Sequence, residues 1–289
     1  MAPESPRPTS ARPAVLVTGT STGIGLATAV SAALAGWHVV ATVRRSGSDA
    51  ELVAAAEVAG VASQVEVRML DITDPQAAAA LIDDIAATHG RLDAVVNNAG
   101  AGHVGTLELD SLDEARRVME VNYFGVLNVT KPAMPHLRAS GGSLVTVTSV
   151  GGIVGQPFNE SYCAAKFAVE GMMESLHPVG AAVGVRVTVV EPGAVATEFV
   201  ASVGPSIQNL LGDAGAYREP FEHYIERTRG AFDAAQRPQG VADVIVGVLL
   251  DEHPPFRVQT SDSATGFVGL KLRDLDGATV TAATAGWIA

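Results

Sequence analysis

Short runs of β-branched and other apolar residues alternate with Ala-rich stretches through the larger, first part of the chain. Ala14–Thr18, His38–Val43, Val65–Leu70, Ala94–Val96, Ser143–Thr148 and Arg186–Val190 read as strands. Gly25–Ala35 and Asp49–Ala59 read as helices, and the runs Pro75–Thr88, Leu112–Arg138 and Ser161–Ala182 contain further helices. Strand runs without polar alternation are buried on both faces, as in a parallel sheet covered by helices. With right-handed crossovers, this strand–helix alternation gives a doubly wound α/β sheet. After Pro192 the pattern loosens. Ala201–Arg237 is polar, Gly-interrupted and weakly helical, where such sheets carry lids over their C-terminal strand ends. Gly240–Leu250 restores a helix and Phe256–Thr260 a last strand. The expected organisation is a flexible leader over 1–13, a catalytic domain over 14–260 with a lid at 201–237, and an unassigned tail over 261–289.

Composition narrows the function. At 289 residues the chain can bury a full core. Hydrophobic residues make up 47% and charged residues 17%, against bulk disorder. Aromatics reach only 5%, and abundant Ala and Gly suit close helix-on-sheet packing. A net charge of −12 argues against a nucleic-acid partner, whose phosphates call for Lys and Arg. It leaves room for a small anionic ligand held by a few local cations. Cys163 is the only cysteine, so an internal disulfide is impossible and a Cys-based zinc site disfavoured. The seven His residues show no spacing such as His-x3-His, and no metal is expected. Cys163, Trp37 and Trp287 read as packing residues, and His223 as an exposed lid residue. No apolar run approaches the ~20 residues of a membrane-spanning helix. Met1–Pro13 lacks the apolar segment of a signal peptide, and the cytoplasm is the expected compartment.

The first candidate chemistry follows the first strand, in Thr18-Gly19-Thr20-Ser21-Thr22-Gly23-Ile24-Gly25. Glycines let backbone approach a pyrophosphate, and the following helix aims free N–H groups at it. The spacing is Gly-x3-Gly-x-Gly, not the G-x-G-x-x-G of the usual dinucleotide fingerprint. A plain tight turn would need the same residue types. The second strand ends in Val43-Arg44-Arg45 with no acid to accept from ribose hydroxyls, and Arg44 suits a 2′-phosphate instead. These features point to NADP(H) rather than NAD(H).

The second candidate is Tyr162-Cys163-Ala164-Ala165-Lys166, which puts a phenol and an ammonium on one helix face. A free Tyr has a pKa of about 10. An ammonium within ~4–6 Å is expected to draw it down by about 1–3 units, into range for acid–base work. Ser149, thirteen residues earlier at a strand end, can donate to an oxygen on which charge develops.

Together these motifs resemble the classical short-chain dehydrogenase/reductases, whose Rossmann-type fold the resemblance implies, over Ala14 to about Phe199. It implies catalytic roles for Ser149, Tyr162 and Lys166, and for Asn122 as holder of a water linking Lys166 to solvent. Its cofactor-lining positions fall on Gly19 to Gly25, Arg44, Asp71 and Ile72. They continue at Asn98-Ala99-Gly100, Pro192, Gly193, Val195 and Thr197. Val150–Asn159, Lys166–Gly171, Ala41–Arg44, Ala235–Pro238 and Leu272–Ala282 resemble the 17β-hydroxysteroid dehydrogenase type 1 and retinol dehydrogenase branch. That branch prefers NADP(H) and hydrophobic ring or polyene substrates. A substrate-recognising lid His of the steroid enzyme falls near Glu219 here, with His223 a neighbour. The resemblance also implies a homodimer or homotetramer. The leading expectation is a reductase or dehydrogenase for a hydrophobic ketone/secondary-alcohol pair. A ketoreductase of polyketide or other secondary metabolism is its rival, and a non-catalytic NADP(H)-sensing regulator is the alternative of another class.

Overall fold

The computed structural model describes residues 12–197, 203–233, 235–273 and 286. Most of the leader, Phe199, the lid residues Ala201, Ser202 and Ala234, Trp287 and nearly all of the Leu272–Ala282 stretch lie outside them. Seven strands form one sheet: β1 (Ala14–Val17), β2 (His38–Val43), β3 (Val65–Met69), β4 (Ala94–Asn97), β5 (Ser143–Val147), β6 (Arg186–Glu191) and β7 (Arg257–Gln259). Their order is β3-β2-β1-β4-β5-β6-β7, and every pair is parallel. This is the doubly wound arrangement expected from the strand–helix alternation.

Helices cover both faces. One face packs α1 (Gly23–Leu34), α2 (Ala50–Val58) and α9 (Pro238–Leu250) on Val15, Val17, Val39, Val96 and Val145. The other packs α3 (Pro75–His89), α5 (Gly125–Ser140) and α6 (Glu160–Ala182) on Leu16, Val40, Val95, Leu144 and Val189. Alternate strand residues thus serve opposite cores, which explains the missing polar alternation. The α3 boundaries are written locally. Asp74 accepts from the backbone N–H groups of Gln76 and Ala77, Pro75 opens the helix, and Gly90 closes it at φ 69°.

Three expectations change. β3 is an edge strand, and its Glu66 and Arg68 are only half-buried, so it is not a doubly buried run. Among the described residues, the weakly helical lid holds two α-helices, α7 (Gly204–Asp213) and α8 (Arg218–Asp233). Packing supplies what propensity lacked, because Phe221 and Tyr224 of α8 are buried against Phe158. The tail starts with α10 (Asp262–Leu272), which is capped by Ser261 and buries Ala264 and Val268 against Val150, Ile153 and Val154. Among the described residues, no helix is long and apolar enough to cross a membrane.

At the β6–β7 edge, Arg257 lies 3.4 Å from Glu170 and 3.3 Å from Glu191, both buried. Burial pushes the Glu170 carboxyl up to about 7, and neighbouring Glu191 adds to the rise. The folded chain therefore holds this proton more tightly than the unfolded chain. The resulting stabilisation is complete below the ordinary carboxylate range and is lost as pH rises through about 7. Replacing Glu170 by Gln should raise the Tm, relative to the parent, by at least about 2 °C more at pH 8 than at pH 5. The same Tm difference at both pH values would show that Glu170 titrates normally.

Candidate functional site

Parallel strands bring the ends of β1, β2, β4, β5 and β6 to one edge of the sheet, and the candidate residues gather there. The Thr18–Gly25 loop leaves β1 with Gly19 at φ 70° and Gly23 at φ 61°, the left-handed region that glycine tolerates. Approach is also tight. A Cβ on Gly19 would lie 2.8 Å from the Ala99 Cα, and one on Gly23 3.0 Å from Thr197 Cγ2. The loop is tied to β4 by Asn98, whose side-chain amide donates to the carbonyls of Thr18 and Gly19, each at 2.9 Å. Thr18 Oγ1 in turn accepts from the backbone N–H groups of Asn98 and Ala99. Thr20 is anchored to the Thr42 carbonyl through both its backbone N–H and its hydroxyl.

The loop fits a nucleotide pyrophosphate. Thr22, at the helix N-cap, gives no side-chain cap, and the first turn of α1 contains no acidic residue. Its leading N–H groups are therefore presented to an anion. Arg44 is exposed just beyond β2 and acts electrostatically on Asp71, which lies past β3. Asp71 is held by Thr73, whose N–H and hydroxyl donate to it at 3.0 and 2.8 Å. Ile72 is buried beside Gly125.

On the far side of the edge, Pro192 accepts from the Val150 N–H, and Val195 forms an isolated parallel bridge to Gln236. Gln236 also exchanges hydrogen bonds with Thr260, joining the Pro192–Thr197 segment to the end of β7. In the sequence, Gln236 belongs to the Ala235–Pro238 stretch of resemblance and to no motif of its own. Its clamp depends on a contact made 40 residues from Ala196 and is invisible to local spacing.

Ser149, Tyr162 and Lys166 converge in the middle. Tyr162 and Lys166 lie near the start of α6, with the Lys166 Nζ 5.9 Å from the Tyr162 ring centroid. Ser149 hydrogen-bonds Tyr162 and accepts from the Gly151 N–H at 3.0 Å. Lys166 is buried and donates to the Val147 carbonyl at 3.2 Å. Burial pushes its ammonium down to about 8. The Tyr162 phenol is raised by burial, and the opposing pull comes from Ser149. This is opposite to the expected direction, because desolvation of the phenolate outweighs the hydrogen bond with Ser149.

Asn122 sits in a π-helical turn, Glu120–Phe124, between α4 (Leu112–Met119) and α5. Its amide accepts from the Ala101 N–H at 3.1 Å and donates to the carbonyls of Ala101 and Val118. A Cβ on Gly100 would meet Asn122 Oδ1 at 2.9 Å and Lys166 Nζ at 3.7 Å, so these residues share one corner.

Several neighbours escaped sequence reasoning. His103 is buried between Asp110, at 2.7 Å, and Glu114, at 3.3 Å, and braces the loop after β4. Asn159 donates to the Tyr224 hydroxyl at 2.7 Å, fastening the loop before Tyr162 to the lid. Phe158, just before Asn159, adopts φ 58° and packs edge-on against Phe221 and tilted against Tyr224. His223, expected to be exposed, is half-buried, and its Nδ1 is closed to solvent without a partner among the described residues. Glu219 is exposed and Cys163 buried.

Comparison with known proteins is consistent with this geometry. Residues 13–208 match the family model for short chain dehydrogenases. The chain is 35% identical over 274 residues to human 17-beta-hydroxysteroid dehydrogenase type 1, covering 92% of this chain and 83% of that protein. It is 36% identical over 271 residues to Retinol dehydrogenase 8 of Bos taurus, covering 91% and 86%. A solved short-chain dehydrogenase from Streptomyces avermitilis superposes with a TM-score of 0.75 at 29% identity, covering 96% of this chain and 97% of that one.

Removing the clamp on the glycine-rich loop by Asn98→Ala is expected to lower unfolding free energy by about 1–3 kcal/mol. Urea denaturation measures this directly. An unchanged midpoint would mean that the two carbonyls are satisfied without Asn98.

Proposed function

The chain belongs to the short-chain dehydrogenase family and is an oxidoreductase, and on that premise we propose that it interconverts a hydrophobic ketone and its secondary alcohol with NADP(H). The observation that carries the proposal is the convergence of Ser149, Tyr162 and buried Lys166 beside an uncapped helix N-terminus and a glycine-rich loop. Arg44 at the end of β2, with no acid beside it in that turn, favours the 2′-phosphorylated nucleotide. The apolar lid side chains Ile207, Leu211 and Ile225, only partly buried, favour an apolar substrate, and kinship with steroid and retinol dehydrogenases favours a ring or polyene skeleton.

Gly19–Gly25, Arg44, Asp71, Ile72, Asn98, Ala99 and Gly100 would hold the nucleotide, together with Pro192, Gly193, Val195 and Thr197. When bound, the nicotinamide supplies or takes up a hydride. In the reducing direction, Ser149 and Tyr162 hold the carbonyl oxygen, and Tyr162 delivers a proton to it. An ordinary phenol is already protonated at neutral pH and burial shifts Tyr162 further that way, so this donor is loaded before substrate arrives. Lys166 orients the ribose hydroxyls, and its charge favours the phenolate left after transfer. Asn122 places a water through which the proton is replaced. Oxidation runs these steps in reverse. We also assign the oligomer surface to α5 and α6, where Val179 and Val183 are exposed, and the enzyme to the cytoplasm.

Tyr162→Phe should reduce kcat/KM with a ketone panel by about 10²–10⁴-fold. NADPH binding, followed by fluorescence, should be little affected. Retained turnover would remove Tyr162 as the acid–base. Arg44→Asp should raise the KM for NADPH by about 10–100-fold, the loss expected for one charge-assisted contact, and leave NADH unimpaired. An unchanged KM for NADPH would overturn the cofactor assignment.

A further inference from the structure

Away from the edge that gathers the site, three residues distant in sequence meet. His38 is the first residue of β2, Glu66 the second of β3 and His89 the last of α3. Val40 pairs with Glu66 and faces the α3 side of the sheet, so His38, Glu66 and the end of α3 share that side. His89 Nε2 is 3.2 Å from Glu66 Oε2, and His38 Nε2 is 3.5 Å from the same oxygen. One ligand atom from each of the three lies within 4.8 Å of the others. We propose that His38, Glu66 and His89 bind a divalent first-row cation, preferentially zinc.

Geometry supports the choice of metal. Zinc bonds to imidazole nitrogen and carboxylate oxygen at about 2.0–2.2 Å, and a tetrahedron of such bonds has edges of about 3.3–3.5 Å. The two observed separations bracket that edge. Two imidazoles and one carboxylate are a zinc-type donor set, unlike the all-oxygen sets of magnesium and calcium.

The surroundings are also suited to a metal. Arg68 donates to Glu66 Oε1 at 2.9 Å, turning Oε2 towards both imidazoles, as an outer-shell partner orients a ligand. His38 Nε2 is closed to solvent and its contact with Glu66 Oε2, at 3.5 Å, is long for a hydrogen bond, so a cation would satisfy its lone pair better. The side chains of His38, Glu66 and His89 are 25%, 31% and 19% exposed, which leaves an entry path and room for a water as fourth ligand. The ion would fasten edge strand β3 to β2 and to the end of α3. It would be separate from Ser149, Tyr162 and Lys166, so this inference does not rest on the proposed reaction.

The test uses the untagged full chain, stripped with chelator and titrated with zinc by calorimetry and with cobalt by visible absorption. We expect one zinc per chain, a tetrahedral cobalt spectrum and a Tm that rises with zinc concentration. His38→Ala and His89→Ala should each weaken zinc binding at least about 100-fold, since losing a ligand must exceed the 10–100-fold typical of an outer-shell loss. Each variant's metal-free melt checks its folding, and His89→Gln, close in size, stands in for a variant that does not fold. Failure of the parent to bind zinc stoichiometrically would overturn the proposal. So would folded variants that bind zinc as the parent does, or cobalt absorption that persists in them.

Discussion

An ammonium held out of water is the costly arrangement around which this molecule is built. Lys166 is 5% exposed, donates to the carbonyl at the end of β5, and is pushed down to about 8 by burial. Isolated buried charge is strongly unfavourable, so a rigid environment must keep the side chain in place. α6 packs on the sheet through Val169 and Met173, one and two turns beyond Lys166, and fixes its height above the strands. One turn on from Lys166, Glu170 belongs to the Arg257–Glu191 cluster and favours the charged form of the ammonium. Lys166 and the β6–β7 edge are therefore one electrostatic unit.

The strand series could be read from the chain because a parallel sheet buried on both faces leaves a simple trace, as in Val15-Leu16-Val17 and Val39-Val40-Ala41. The trace weakens where burial is one-sided. Val65-Glu66-Val67-Arg68 alternates because β3 closes the sheet and has no neighbour beyond it among the described residues. α8 was hard to see because Arg218, Glu222 and Arg229 dominate its composition, while Phe221 and Tyr224 carry its packing. Gly266 and Gly269 hid α10, which is held by Ser261 and by contacts with the turn after β5.

At the site, residue identities were legible and their energetics were not. Ser149, Tyr162 and Lys166 stand at spacings that a strand end and a helix turn convert into proximity. The direction in which half-buried Tyr162 is shifted depends on desolvation of its hydroxyl, and no spacing encodes that. Asn159 with Tyr224, and His38 with Glu66 and His89, join elements far apart in sequence, so their meeting appears only once the sheet order is known.

The bridge between Val195 and Gln236 means that the chain leaves the sheet edge and returns to it at nearly the same point. The described residues between them, 203–233, belong to an excursion closed at its neck, a large relative of an Ω-loop. Closure entropy grows only slowly with length, so such an excursion can lengthen, shorten or change its apolar inventory with little effect on the sheet beneath. The tethered segment can therefore be exchanged while Ser149, Tyr162 and Lys166 keep their places on the sheet and α6.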